Sequence, residues 1–222
     1  MKYVIQTLKW LVLAPLDFVF NLMALLLFNW WVPFVAVPVK PGTWLYGEAK
    51  PEWQGLEQRL PRWLSWFETF DASLDTGWIS GYFVPKGTYT PDSMPSFWKR
   101  KYYQWRWLNR NSGYSFSYYP LGIAMDTKKW TIRKWINTPG EKGKGFRLWF
   151  ATSSDGHWNL NVAGKYGAYK LGWKAWNYWD RDIETWYRSG KPWGPEWRTT
   201  LVLSANPFKR EAIPALDPES AS

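Results

Sequence analysis

Between Leu11 and Val37, in the stretch LVLAPLDFVFNLMALLLFNWWVPFVAV, the chain carries a single ionisable residue, Asp17. The part Phe18–Val37 is 20 residues long, and about 20 apolar residues carry a helix across a bilayer core. A secretory signal would have a shorter apolar core and a small-residue cleavage site, whereas this run ends in NWWVPFVAVPVKPG. Trp30 and Trp31 suit the aromatic belt where a helix meets the head groups. The run therefore points to membrane insertion, the bland alternative being a buried core helix. Pro15 and Asp17 interrupt a straight span. Before them Lys2, Gln6 and Lys9 alternate with Val4, Ile5, Leu8, Leu11 and Val12, as in a helix lying in the interface. The expectation is an interfacial helix leading into a span, or a helical hairpin dipping into one leaflet. Lys2 and Lys9 bias the N-terminus only slightly towards the cytoplasm.

The rest of the chain is different in character. Tryptophan supplies 21 of 222 residues and aromatics make up 21%. A domain of this size cannot enclose so many indoles, so part of them must lie at a surface, a membrane or a partner. The formal net charge of +10 favours anionic partners, phospholipid head groups or nucleic acid. There is no cysteine, which excludes disulfides and thiolate metal sites. The one histidine, His157 in DGHW, argues against a histidine metal cluster or a Ser-His triad and reads as exposed or structural.

After the helix stop in VPVKPGTW, a short helix is expected over residues 54–67, broken at Pro61. Residues 76–97 read as irregular. In FWKRKYYQWRWLNR, residues 97–110, Trp98, Tyr102, Trp105 and Leu108 recur at helical spacing between basic residues. Beyond residue 128 the period becomes two. Trp130, Ile132 and Ile136 share a side with Lys134 interrupting; Phe146, Leu148 and Phe150 share another. Trp158, Leu160 and Val162 point inward against His157, Asn159 and Asn161; Tyr169, Leu171 and Trp173 alternate, as do Trp197, Thr199, Leu201 and Leu203. The turn-rich NTPGEKGKG, SSDG and GKYG between them suit hairpins. The fold class is thus α+β, an N-terminal membrane-associated helix or helical hairpin followed by a small aromatic-rich antiparallel sheet of four or five strands. Expected regions are 1–40 as anchor, 41–127 as a helix and loop region, 128–206 as the sheet and 207–222 as a disordered tail.

Three constellations bear on chemistry. The basic helix sets Lys99, Arg100, Lys101, Arg106 and Arg110 among aromatics, which suits an anionic membrane surface or single-stranded nucleic acid; the apolar run beside it favours membrane. Trp149, Trp176, Trp179, Trp186 and Trp193 offer sugar-stacking platforms, so a glycan-binding module stands as an alternative. Asp71 and Asp75, in WFETFDASLDTGW, lack the alternating ligands of a calcium loop, and one turn seldom sets two carboxylates at a glycosidase spacing. Their simplest reading is a capped turn. No P-loop, nucleophile elbow or zinc-helix motif occurs.

Trp66, Phe67, Thr69, Asp71, Leu74, Asp75 and Gly77 form a W-F-x-T-x-D-x-x-L-D-x-G pattern. Arg110, Asn111, Tyr114 and Phe116 form R-N-x-x-Y-x-F, with Gly122 after it. Both motifs, behind an apolar N-terminus, resemble an uncharacterised family of tailed-bacteriophage proteins over residues 10–122, and YKLGWK resembles it more loosely. Phe70 stands where that pattern has proline, Thr76 precedes the glycine, and Ser112–Gly113 replace Pro-Ala. The resemblance implies a phage origin and no activity. The two motifs suggest that Arg110 bridges the carboxylates, with Asp71, Asp75, Arg110 and Asn111 as a candidate polar pocket.

The sequence thus leads to a phage-encoded, membrane-anchored accessory protein without catalytic activity, metal or cofactor, located at the host inner membrane. It would contact anionic lipid, or a phage or host membrane protein, through a basic aromatic surface in which Trp30, Trp31, Lys99, Arg100 and Lys101 lie at the interface. The alternatives are a virion structural or ejection component and a membrane-associated enzyme.

Overall fold

The apolar run is helical only as far as Phe28, in one helix with the residues before it where a hairpin was an alternative, so the span expected over Phe18–Val37 leaves the helix well before Val37. A computed structural model describes residues 1–43, 45, 49–124, 130–174, 198–213 and 215. In it α1 (Lys2–Met23) runs through Pro15, whose ring forfeits the one bond that would reach the Leu11 carbonyl, and continues as a π-turn over Ala24–Phe28. The helix over Lys2–Phe28 is long and apolar enough to cross a membrane, with 17% of its most apolar window buried. Its residues divide between two compact units, Met1–Asp17 with Tyr118–Ser222, and Phe18–Ser117.

In the unit Phe18–Ser117, the chain leaves the helix through a 3-10 turn at Val32–Val35. It then pairs β1 (Val37–Pro38) antiparallel with β2 (Gln58–Arg59), Val37 opposite Arg59. The helix expected over 54–67 is therefore replaced by this strand and a 3-10 segment, Arg62–Phe67, which Pro61 opens. A one-turn helix α2 (Thr76–Ile79) follows, then α3 (Phe97–Arg110) and α4 (Tyr114–Tyr118). One core gathers Val32, Leu60, Leu64, Leu74 and Leu108; a second gathers Trp53, Trp78 and Tyr103, flanked by Phe83, Tyr89 and Met94. One side of the helix and the turn after it packs into this unit. Phe20 stacks on Phe116 at 3.9 Å and Phe28 on Phe67 at 4.4 Å, while Asn29 Nδ2 donates to Asn109 Oδ1 at 3.0 Å.

In the other unit, β3 (Ile123–Ala124) pairs with β8 (Arg198–Thr199). The main sheet has five antiparallel strands, β4 (Trp130–Thr138), β5 (Phe146–Ser153), β6 (Trp158–Gly164), β7 (Gly167–Trp173) and β9 (Leu201–Asn206), in that spatial order. The α+β class and the hairpin connections are as expected. Which side is buried is not. Asn159, Asn161 and His157 are buried, and Trp158, Leu160 and Val162 are only half-buried. The reason lies in the segment expected to begin a disordered tail. Ile213 exchanges backbone hydrogen bonds with Gly140 and packs on Ala163 and Ala168, while Arg147 pairs with Glu211 at 3.0 Å. This segment covers the Arg147, Ala163 and Ala168 end of the asparagine side; farther along, Asn159 Nδ2 donates to the Leu171 carbonyl at 2.9 Å. On the opposite side the register lines up Lys134, Phe150, Leu160, Leu171 and Leu203 in one row and Ile136, Leu148, Val162 and Tyr169 in the next.

A β-bulge between Ile132 and Lys134 splits the side expected to hold Trp130, Ile132 and Ile136 together. The inserted residue, Arg133, shifts the pleat by one, so Trp130 and Ile132 fall opposite Ser153 and Ala151 while Ile136 falls opposite Leu148. The first turns of α1 lie on the leucine side. Trp10 meets Trp158 at 5.4 Å and Thr7 Oγ1 accepts the Trp158 indole N–H at 3.1 Å. Gly172 has φ +98°, and a Cβ there would lie 2.1 Å from the Trp158 carbonyl oxygen. Gly172→Ala should therefore destabilise the protein by about 3 kcal/mol or more, through backbone strain and overpacking together. Chemical denaturation would show the loss as a lowered midpoint.

Candidate functional site

The DASLDTG turn delivers Asp75 to the N-terminal end of α2, where its carboxylate is fully buried and accepts five hydrogen bonds. Oδ1 takes Arg100 Nε at 3.0 Å, Gln104 Nε2 at 2.9 Å and the Trp78 indole at 3.1 Å. Oδ2 takes a terminal Arg100 nitrogen at 2.5 Å and the Gln58 backbone N–H at 2.9 Å. The side chain thus ties β2, α2 and α3 together. The expectation that Asp75 braces a turn understates its reach, and its counter-ion is Arg100, where the motifs suggested Arg110. Arg100 and Gln104 are one helical turn apart, and this i, i+4 polar pair was the signal available in the sequence.

A second buried carboxylate, Glu68, stands beside it. Arg59 donates to its Oε1 through Nε and a terminal nitrogen at 3.1 and 2.6 Å, and the Leu60 N–H donates to Oε2 at 2.6 Å. Burial pushes the Glu68 carboxyl up to about 7 against the pull of Arg59. At Glu57, burial and then the Asp75 charge push the carboxyl up to about 7, opposed by the Ser73 hydroxyl and by Arg100. Lys101 is buried as well, donating to the Pro33 carbonyl at 2.6 Å, Gln58 Oε1 at 3.2 Å and Gln104 Oε1 at 3.1 Å; that burial lowers its pKa. A substrate could not reach Asp75. Among the described residues no cluster of acids and histidine suits a metal.

The other expected site residues are dispersed. Asp71 is half-buried on the same turn. Arg110 is exposed and lies over the Tyr82 ring at 4.2 Å. Asn111 closes α3, its side-chain amide donating to the Trp107 carbonyl at 3.4 Å. Lys99 sits over Tyr89 at 5.6 Å and Arg106 over Phe83 at 4.2 Å. Lys99, Arg106 and Arg110 share one face of α3, so these cations strap the 82–89 segment to the helix by cation–π contacts. Arg100 and Lys101, expected at the interface, turn inward into the hydrogen bonds above. Trp149 is buried, which removes it as a sugar platform; Trp176, Trp179, Trp186 and Trp193 lie outside the described residues, as does Trp197. His157 is buried edge-on against Trp173, with Nδ1 3.0 Å from Asp155.

What the unit does present is an aromatic patch. Trp30 and Trp98 are 63% and 72% exposed, with Phe34, Phe97 and Tyr102 each at least half exposed. They form two groups of ring contacts: Phe34 to Phe97 at 6.3 Å and to Trp98 at 6.0 Å in one, Tyr102 to Trp105 at 5.8 Å and Trp105 to Trp30 at 5.6 Å in the other. Trp31, also exposed, donates its indole N–H to the Leu27 carbonyl at 3.1 Å. Trp98 and Tyr102 are the exposed members of the stripe that helical spacing picks out. They face out because Arg100, Lys101 and Gln104 claim the inner side through their hydrogen bonds.

Removing either partner of the Asp75–Arg100 pair leaves a buried charge unpaired, so Asp75→Ala and Arg100→Ala should each cost about 3–5 kcal/mol. The double variant should cost less than their sum, and Arg110→Ala only about 0.5–1 kcal/mol; denaturation curves of the four chains decide it. Glu57 has a folded pKa above its ordinary 4.5. Its contribution is therefore fully present below about pH 4.5 and lost as pH rises through about 7. Glu57→Gln should flatten that decline in melting temperature between pH 4.5 and 7.

Neither a curated protein nor a solved structure matches the chain. The family model that does match covers residues 1–213 and describes proteins of unknown function, so it brings neither an activity nor a bacteriophage source. The chain belongs to the DUF7338 family.

Proposed function

We propose that this protein is a membrane-surface accessory protein without catalytic activity, held on an anionic bilayer by one side of α1 and the aromatic patch. The observation that carries this is the uncovered apolar side of the Lys2–Phe28 helix. Val4, Leu8, Val12, Leu16, Val19, Leu26 and Leu27 are all exposed, and the helix runs on into Trp30, Trp31 and Phe34. Such a surface marks a membrane or protein contact, and indoles next to it suit the head-group level. A lone spanning helix shows lipid its whole circumference. Here Trp10 is packed on Trp158 within one unit, and Phe20, Phe28 and Asn29 are packed within the other. That supports a helix lying in the interface with one apolar side immersed. The charge of +10 supports a preference for anionic lipid.

The structural employment of Asp75, Glu68, Arg100 and Lys101 supports the non-catalytic part of the reading. The Trp66–Gly77 and Arg110–Phe116 motifs, through their resemblance to tailed-phage proteins, support a phage origin and so the inner membrane of a bacterial host.

Flotation with phosphatidylglycerol–phosphatidylethanolamine liposomes tests it. The full chain should float, less so at high salt. Val12→Glu and Leu26→Glu alter side chains that are 72% and 59% exposed, so both variants should keep their melting temperature. Each should nevertheless lose about tenfold or more in partitioning, the equivalent of about 1.4 kcal/mol. Unchanged flotation of both variants would sink the reading, as would a full chain that stays monodisperse in detergent-free buffer and ignores liposomes.

A further inference from the structure

The bulge at Arg133 does more than shift a pleat. It sends the guanidinium to the leucine side of the sheet, where Nε donates to Thr152 Oγ1 at 2.8 Å, and the Tyr3 hydroxyl meets both side chains. Bulges that re-aim one side chain recur beside binding sites. Arg133 borders a groove of about 590 Å³ whose other walls are Tyr3, Thr7, Phe150, Thr152 and Trp158. That volume is in the range of small-molecule sites.

The lining is of two kinds. Arg133 is exposed and brings a planar fork of donors, of which Thr152 takes the one at Nε. The hydroxyls of Tyr3 and Thr152 stand next to it, and the lining has no carboxylate. That end favours an anion, and a guanidinium matches phosphate or carboxylate with two parallel bonds. Trp158 faces Thr152 across the strand pair, and the other end is Phe150, two residues along β5, which leads into the row through Leu160, Leu171 and Leu203. None of these four is fully buried. A ligand filling both ends is anionic at one end and apolar along its length.

We propose that this groove binds one anionic lipid, its phosphate on Arg133, Thr152 and Tyr3 and one acyl chain over Phe150 and Trp158. The proposal deepens the membrane reading, which it needs only for the source of the lipid. Tyr3 and Thr7 lie on the first turns of α1, beside the exposed Val4 and Leu8, so the groove adjoins the apolar side of that helix.

Titration calorimetry of the full chain in a non-ionic detergent, with ligands kept below their micelle concentration, tests it. Dihexanoyl phosphatidic acid should bind one to one, and inorganic phosphate at least a hundredfold more weakly. Arg133→Gln should weaken the lipid tenfold or more, Arg133→Lys should restore part of that, and Phe150→Ala should weaken the lipid but not phosphate. If Arg133→Gln lowers the melting temperature, Tyr3→Phe, which removes only a hydroxyl, is read in its place and should weaken binding severalfold. Equal binding of phosphate and phosphatidate would mean a plain anion site and overturn the proposal. So would the absence of saturable binding, or binding indifferent to the variant read. Flotation is scored separately: intact flotation without saturable binding removes the groove alone, and saturable binding without flotation removes the membrane reading alone.

Discussion

A carboxylate with no exposed surface sets the terms for the unit Phe18–Ser117. Burying an ion costs several kcal/mol before any partner is counted, and Asp75 offsets that with five donors drawn from β2, α2 and α3. Each donor is then committed. Arg100 must turn inward, Gln104 must follow it one turn later, and Gln58 must hold its strand against the cluster. Lys101, linked to Gln58 and Gln104, reaches back to the Pro33 carbonyl just after the apolar helix. A single acid thus fixes the rotation of α3 about its own axis. The aromatic residues of that helix are exposed as a consequence.

This dependence explains what was legible beforehand and what was not. The extent of α3 was readable, because the helical spacing of Trp98, Tyr102, Trp105 and Leu108 marks the stretch 97–110. Its phase was not. Helical spacing groups Trp98 and Tyr102 with Trp105 and Leu108 in one stripe, yet Leu108 is buried and Trp98 and Tyr102 are exposed; Arg100, Lys101 and Gln104 turn inward because their bonds are satisfied there, and periodicity has no view of bonds. For the same reason Arg110 looked like the counter-ion: adjacency of motifs in sequence was the only guide to proximity. Arg110 proves to be one of three cations lying on rings of the 82–89 segment.

The sheet repeats the lesson with a different cause. Alternation correctly separated Leu160 and Val162 from Asn159 and Asn161, since a strand has period two whatever covers it. Alternation cannot say which side is covered. The cover on the asparagine side comes from Glu211 and Ile213, in a segment whose prolines and small residues read as tail. Lys134 inside an apolar alternation was a visible sign of irregularity, and the bulge at Arg133 is its physical form.

The tryptophan excess now has a distribution. Among the described residues, the indoles classed as exposed are Trp30, Trp31, Trp63, Trp66 and Trp98, all in the unit Phe18–Ser117. The described tryptophans of the other unit are buried or half-buried, and its open apolar surface is the aliphatic outer side of α1 together with Tyr166 and Phe208. Indoles have an apolar body and a polar N–H and are best placed where water and hydrocarbon meet; leucine and valine have no such reason to stop there. A soluble protein seeking stability alone gains nothing from leaving both sets uncovered. On the proposed reading, the indoles would set the depth at a bilayer surface and the aliphatic side of α1 would hold it there. The cost of the arrangement falls on the interior, where Asp75, Glu68 and Lys101 replace the apolar packing that has been turned outward.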